Sequence, residues 1–164
     1  MPKMEGLSDL DFYHYDIPAH TAATWETNEI PAPSDMDLEK EAIIVYAIEF
    51  VPRDSATLFA DGSEFVFPFT FHLTKPSSED DLDTCFLTKI VSGIRDAGAN
   101  MFFSEGNSVP IMPIVAITSI FEACNAVADA IVAGDMSFRI WYDDVPLNKS
   151  QFSRLVQLLR GEQV

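Results

Sequence analysis

The side chains of this 164-residue chain that can do acid–base or metal chemistry are few, so their spacing is tested first. His14 and His20 have five residues between them, a spacing that neither a strand nor a zinc-finger helix requires, and no cysteine pair accompanies them. His72 reads as a surface or half-buried residue rather than a general base. Cys85 and Cys124 form no CxxC pair and have no histidine near them in sequence, so they read as buried free thiols. Asp143-Asp144, before Val145-Pro146, has the type to hold Ca²⁺ but reads as a solvated strand end. Glu79-Asp80-Asp81 reads as the start of a helix rather than a cation site, because three consecutive acids point around a helix in different directions. Asn148-Lys149-Ser150 matches the glycosylation acceptor pattern, which is too common to weigh by itself. No GxSxG, P-loop, GxGxxG or HExxH occurs. The expectation is a protein that is not an enzyme and uses no cofactor or metal.

The elements that position these residues come from a globular composition: 48% hydrophobic, 12% aromatic and only 22% charged, with 13 phenylalanines. A chain this long buries a sizeable core as one domain without disulfide or metal. Ten Lys and Arg stand against 26 Asp and Glu, a formal charge of −16. That field repels phosphates and argues against nucleic acid or anionic lipid bound through a basic patch. It leaves a strongly solvated surface, a nucleic-acid mimic or a basic partner. The acids are scattered over loops and turns rather than along one helical face, which weighs against the mimic. The first forty residues hold nine acids and two bases, so the charge is front-loaded. No apolar leader opens the chain and no stretch reaches the ~18 to 20 apolar residues of a membrane span.

Residues 1–38 contain Pro2, Pro18, Pro31 and Pro33 among single aromatics with no sustained period. They read as an extended arm, with 39–164 as one globular domain. Phe12, Tyr13, Tyr15 and Trp25 are too many aromatics for a free linker, so they are the candidate interface residues, docking on the domain or on a neighbouring subunit. KEAIIVYAIEFVPR (40–53) reads as a strand covered on both faces. EFVFPFTFHLT (64–74) places Phe65, Phe67, Phe69 and Phe71 on one face, with Val66, Pro68, Thr70 and His72 on the other. Core packing is preferred for that stripe over a groove for an apolar ligand. Pro68 puts this strand at an edge or a bulge, and Asp61-Gly62 suggests that it pairs antiparallel with the strand before it.

Ser77 or Ser78 as cap, the acids 79–81 and Gly98 as C′ residue frame a helix carrying Leu82, Phe86, Ile90 and Ile94. NMFFSEG is a short strand or loop, and VPIMPIVAITSIF begins as a strand. From Thr118, the spacing of Ile120, Cys124, Val127 and Ile131 reads as a second helix over 118–133. MSFRIWYDD is a strand, followed by a last helix capped by Asn148 or Ser150.

FRIWYDDVPLNKSQFSRLVQLL (138–159), with EAIIVYAIEF after a proline-rich segment bearing Trp25, resembles the small jelly-roll capsid proteins of viruses that infect archaea and bacteria. That resemblance implies an antiparallel β-sandwich that tiles into a shell with copies of itself or other shell proteins, its arm reaching across neighbours. The acidic arm departs from genome-contacting coat arms, so no direct nucleic-acid binding is expected. The expected fold is a β-rich, jelly-roll-like antiparallel sandwich with two or three helices; the alternative is a two-layer α+β sandwich. The expected role is a non-enzymatic virion structural protein made soluble in the host cytoplasm. The alternative is a soluble cytoplasmic acidic inhibitor, immunity protein or chaperone that engages a basic partner.

Overall fold

A computed structural model describes residues 11–37, 40–52, 64–95, 101–103, 109–116, 119–126, 130, 131, 133, 134 and 136–159. Its elements are β1 (Asp11–Asp16), β2 (Thr24–Ile30), β3 (Glu41–Pro52), β4 (Glu64–His72), β5 (Cys85–Arg95), β6 (Met101–Phe103), β7 (Val109–Ala116), β8 (Ile120–Ala126), β9 (Met136–Pro146) and α1 (Lys149–Leu159).

One sheet has the order β1-β9-β3-β7 and the other β2-β8-β4-β5-β6, and every pair is antiparallel. The partners are nested: β1 with β9, β2 with β8, β3 with β7 and β4 with β5. Such a chain is one long folded-back ladder, rolled so that successive rungs fall in alternate sheets. This is a jelly roll, with β6 added at one edge.

The core lies between the two inner faces. Phe67, Phe69 and Phe71 of β4 are fully buried. Phe138 of the facing sheet meets Phe69 and Phe71 edge-on, each at 5.0 Å, and Phe50 of β3 at 6.1 Å. The side chain of Phe65 lies outside the described residues. A bulge between Val45 and Ala47 explains why β3 turns Ile43 and Val45 inward and then Ile48 and Phe50: one extra residue resets the alternation. A second register shift at Phe71/His72 buries both of those residues, so His72 is 1% exposed rather than on the surface. Pro68 is tolerated because the β4–β8 ladder begins only at Phe69, leaving the start of β4 locally an edge. Pro110 and Pro113 lie on β7, at the edge of its sheet.

Several expectations are corrected. Cys85–Arg95 and Ile120–Ala126 are strands, so α1 is the single helix among the described residues and the α+β alternative falls. The acids at 79–81 sit in the β4–β5 turn, where the Asp81 carboxylate accepts from the backbone N–H (2.8 Å) and hydroxyl (2.9 Å) of Ser77. β3 and β4 belong to different sheets and do not pair; Asp61-Gly62 lies outside the described residues. Residues 11–30 of the expected arm lie on the sandwich itself: β1 and β2 supply one edge strand to each sheet, with Tyr13 and Tyr15 of β1 packed against the core and Ile30 of β2 buried in it. At α1, Asn148 is the cap, accepting from the Gln151 N–H at 3.0 Å while Gln151 accepts from the Asn148 N–H at 3.0 Å.

Candidate interaction surface

Strand β9 alternates Met136, Phe138, Ile140 and Tyr142 inward with Ser137, Arg139, Trp141 and Asp143 outward. Its register sets Trp141 between Phe12 of β1 and Ala47 of β3, and Arg139 between His14 and Glu49. Five polar or aromatic side chains of three strands therefore share one outer face, where the small Ala47 is itself fully covered. The Phe12 ring lies 5.0 Å from Trp141 and 5.5 Å from His14. The Arg139 guanidinium stands 4.9 Å over Phe12 and 5.8 Å from the Trp141 ring. Glu49 locks the group, its Oε2 accepting from Arg139 Nη1 at 3.1 Å and from Trp141 Nε1 at 3.4 Å. The Arg139–Glu49 pair is partly solvated, so it orders the cluster more than it stabilises the fold. Phe12 is 47% exposed, and Val115 of β7 adds exposed apolar surface on the same sheet. A rigid, accessible group of Trp, Phe and Arg has the composition of an interface centre.

A second cluster is internal. Glu122 of β8 stands opposite Phe71 and Asn28, so its side chain enters the core. Its Oε1 accepts from Asn28 Nδ2 at 2.9 Å and from the Tyr15 hydroxyl at 3.4 Å, and lies 3.3 Å from His20 Nε2. His20 Nδ1 donates to the Pro18 carbonyl at 2.9 Å, and its backbone bridges to Ile131, which holds the β1–β2 connection in place. The His20 and Glu122 side chains are both fully buried, and Glu122 Oε2 has no hydrogen-bond partner among the described residues. Burial pulls the His20 pKa down, but the hydrogen bond and charge of Glu122, with help from the Pro18 carbonyl and Glu26, outweigh it and raise the pKa above its ordinary value. Burial and Glu122 push the Tyr15 hydroxyl and the Cys124 thiol upward, so both stay protonated and Cys124 is an inert free thiol. The arrangement ties the two sheets together across the core.

Of the expected interface residues, Phe12 is on the outer patch, Tyr13 and Tyr15 pack against the core, and Trp25 is half-buried on the outer face of the other sheet. His14 joins the Phe12 patch, while Asp143 and Asp144 lie within β9 and are exposed. No group of three metal-ligating side chains occurs among the described residues. Sequence reasoning missed Arg139, Trp141 and Glu49, whose association depends on strand register. It also missed Glu122, hidden by a helical spacing of its neighbours.

No protein-family model matches the chain, and no curated protein matches it. Among solved structures it is similar to the unassembled VP1 pentamer of Washington University polyomavirus, at 10% identity and a TM-score of 0.37, covering 85% of this chain and 94% of that chain. The fold assignment rests on the strand order and not on that likeness.

Proposed function

We propose that this chain is a non-enzymatic virion structural protein that associates with copies of itself, or with other shell proteins, through the outer face of its β1-β9-β3-β7 sheet. The observation that carries the reading is the Phe12–Arg139–Trp141 group on the outer face of a jelly-roll sandwich, Phe12 exposed and Arg139 and Trp141 half-buried beside it. Jelly rolls serve as shell subunits among other roles, and a fold alone names no function, so the weight falls on the patch. An ordered aromatic–arginine group on an otherwise acidic surface offers the desolvated centre a subunit contact needs. The charge of −16 keeps subunits apart at low salt and supports a shell position without direct nucleic-acid contact. No described helix is long and apolar enough to cross a membrane. Light scattering across a salt series tests the reading. Screening shortens from ~10 Å at 0.1 M to ~3 Å at 1 M, so self-association should strengthen with salt. A particle that stays monomeric throughout, or that dissociates as salt rises, contradicts it.

A further inference from the structure

The outer face of the second sheet carries a groove of about 220 Å³, lined by Trp25, Pro68, Thr70, Glu79, Asp80, Ala123 and Asn125. We propose that it is a binding site for one neutral pyranose ring of a glycan, independent of whether the chain builds a shell.

The floor follows from register. Trp25 stands beside Asn125, and Thr70 beside Ala123, across β2, β8 and β4. Ala123 is too small to fill the space between its neighbours, and the β8–β4 ladder stops at Phe69, so Pro68 closes one end without a continuing strand. The β4–β5 turn forms the wall. It is braced at its base by the Leu73 N–H to the Thr84 carbonyl (3.0 Å) and Thr74 Oγ1 to Thr84 Oγ1 (3.0 Å), and within by the Ser77–Asp81 contacts. A wall already ordered spares a ligand the cost of ordering it.

The chemistry selects the ligand class. Asn125 Nδ2 donates to Glu79 Oε2 at 2.9 Å, which sets an amide and a carboxylate side by side. Such a pair matches a vicinal diol, one hydroxyl accepting from an amide N–H while its neighbour donates to a carboxylate. Thr70 Oγ1 is held by His72 Nε2 at 2.8 Å and adds a fixed hydroxyl. The indole of Trp25 offers the flat apolar surface on which the C–H face of a pyranose stacks. The volume is below that of a drug-sized pocket, which suits a single ring. Glu79 and Asp80 repel sialic acid, uronates and phosphates. An ammonium or guanidinium group only donates hydrogen bonds, and would meet the Asn125 donor, so a mixed donor–acceptor ligand fits better than a cation.

The test is a glycan array carrying neutral hexose- and N-acetylhexosamine-terminated oligosaccharides beside sialylated ones, probed with the labelled chain. Titration of the best binder by saturation-transfer NMR follows, with arginine amide as the cationic comparison. Neutral glycans should bind and sialylated ones should not. Affinity should fall at least tenfold in Trp25→Ala and severalfold in Glu79→Gln, whose exposed position leaves folding intact if Trp25→Ala does not fold. An array blank for neutral glycans, a preference for arginine amide or sialylated glycans, or binding unchanged in Glu79→Gln would each overturn the proposal.

Discussion

Replacing His20 by Gln removes the imidazole that faces Glu122 in a place water does not reach, both side chains being fully buried. Glu122 Oε1 would keep Asn28 at 2.9 Å and Tyr15 at 3.4 Å, while Oε2 already has no partner among the described residues. Breaking a buried pair by deleting one member costs about 3 to 5 kcal/mol, and the lower end applies because a glutamine amide retains one donor. Against a total stability on the order of 5 to 15 kcal/mol this is a large loss. The pH dependence has a definite sign. The folded-state pKa of His20 is raised, so its contribution is complete below about pH 6.5, the unfolded value, and is lost as pH rises through the folded one. The stability gap between wild type and His20→Gln should therefore narrow from pH 6 to pH 8. His72, whose pKa burial lowers against a small opposing effect of Asp81, titrates with the opposite sign but is present in both proteins and cancels in the difference. Urea denaturation at several pH values reads the gap. A loss below about 1 kcal/mol, or a gap that stays constant or widens with rising pH, would refute the reasoning.

Phe138→Ala removes the ring that Phe50, Phe69 and Phe71 all meet and should cost about 3 to 5 kcal/mol in thermal or chemical unfolding. Deleting residues 1–35 removes β1 and β2, one strand from each sheet, and should leave a chain without cooperative folding by circular dichroism. A well-folded truncated product would show that the sandwich closes without them. Glu122→Gln keeps the Asn28 hydrogen bond and removes the charge, so it should cost about 1 kcal/mol and abolish the pH-dependent gap of the His20 pair.

Where the alternation of one face was unbroken, the strand was legible: Phe67, Phe69 and Phe71 declare β4, and the outward–inward alternation of 136–142 declares β9. The two misread strands share a physical cause. On β5 the inward positions, opposite Phe71, Phe69 and Phe67, are Leu87, Lys89 and Val91, and a buried lysine interrupts the apolar period. Its ammonium reaches the Ile48 carbonyl of the facing sheet at 3.4 Å, a partner that local sequence does not reveal. Meanwhile Leu82 and Ile90, which completed a helical stripe, are exposed. On β8 the inward set is Ile120, Glu122 and Cys124, and a buried acid does the same. A charged group inside a sheet reads as the polar face of a helix until its distant partners are known. The interaction patch was half legible. Phe12 stood out as an aromatic without a period, whereas Arg139, Trp141 and Glu49 join it only through the β1-β9-β3 register.

The claim that the outer face of the β1-β9-β3-β7 sheet is a subunit contact is tested most directly by sedimentation velocity. Wild type should be run beside the double variant Phe12→Ala/Trp141→Ala at 1 M salt, with circular dichroism confirming that both are folded. The wild type should sediment as assemblies larger than a dimer and the variant as a monomer. A wild type that remains monomeric, or a folded variant that assembles like the wild type, would contradict it.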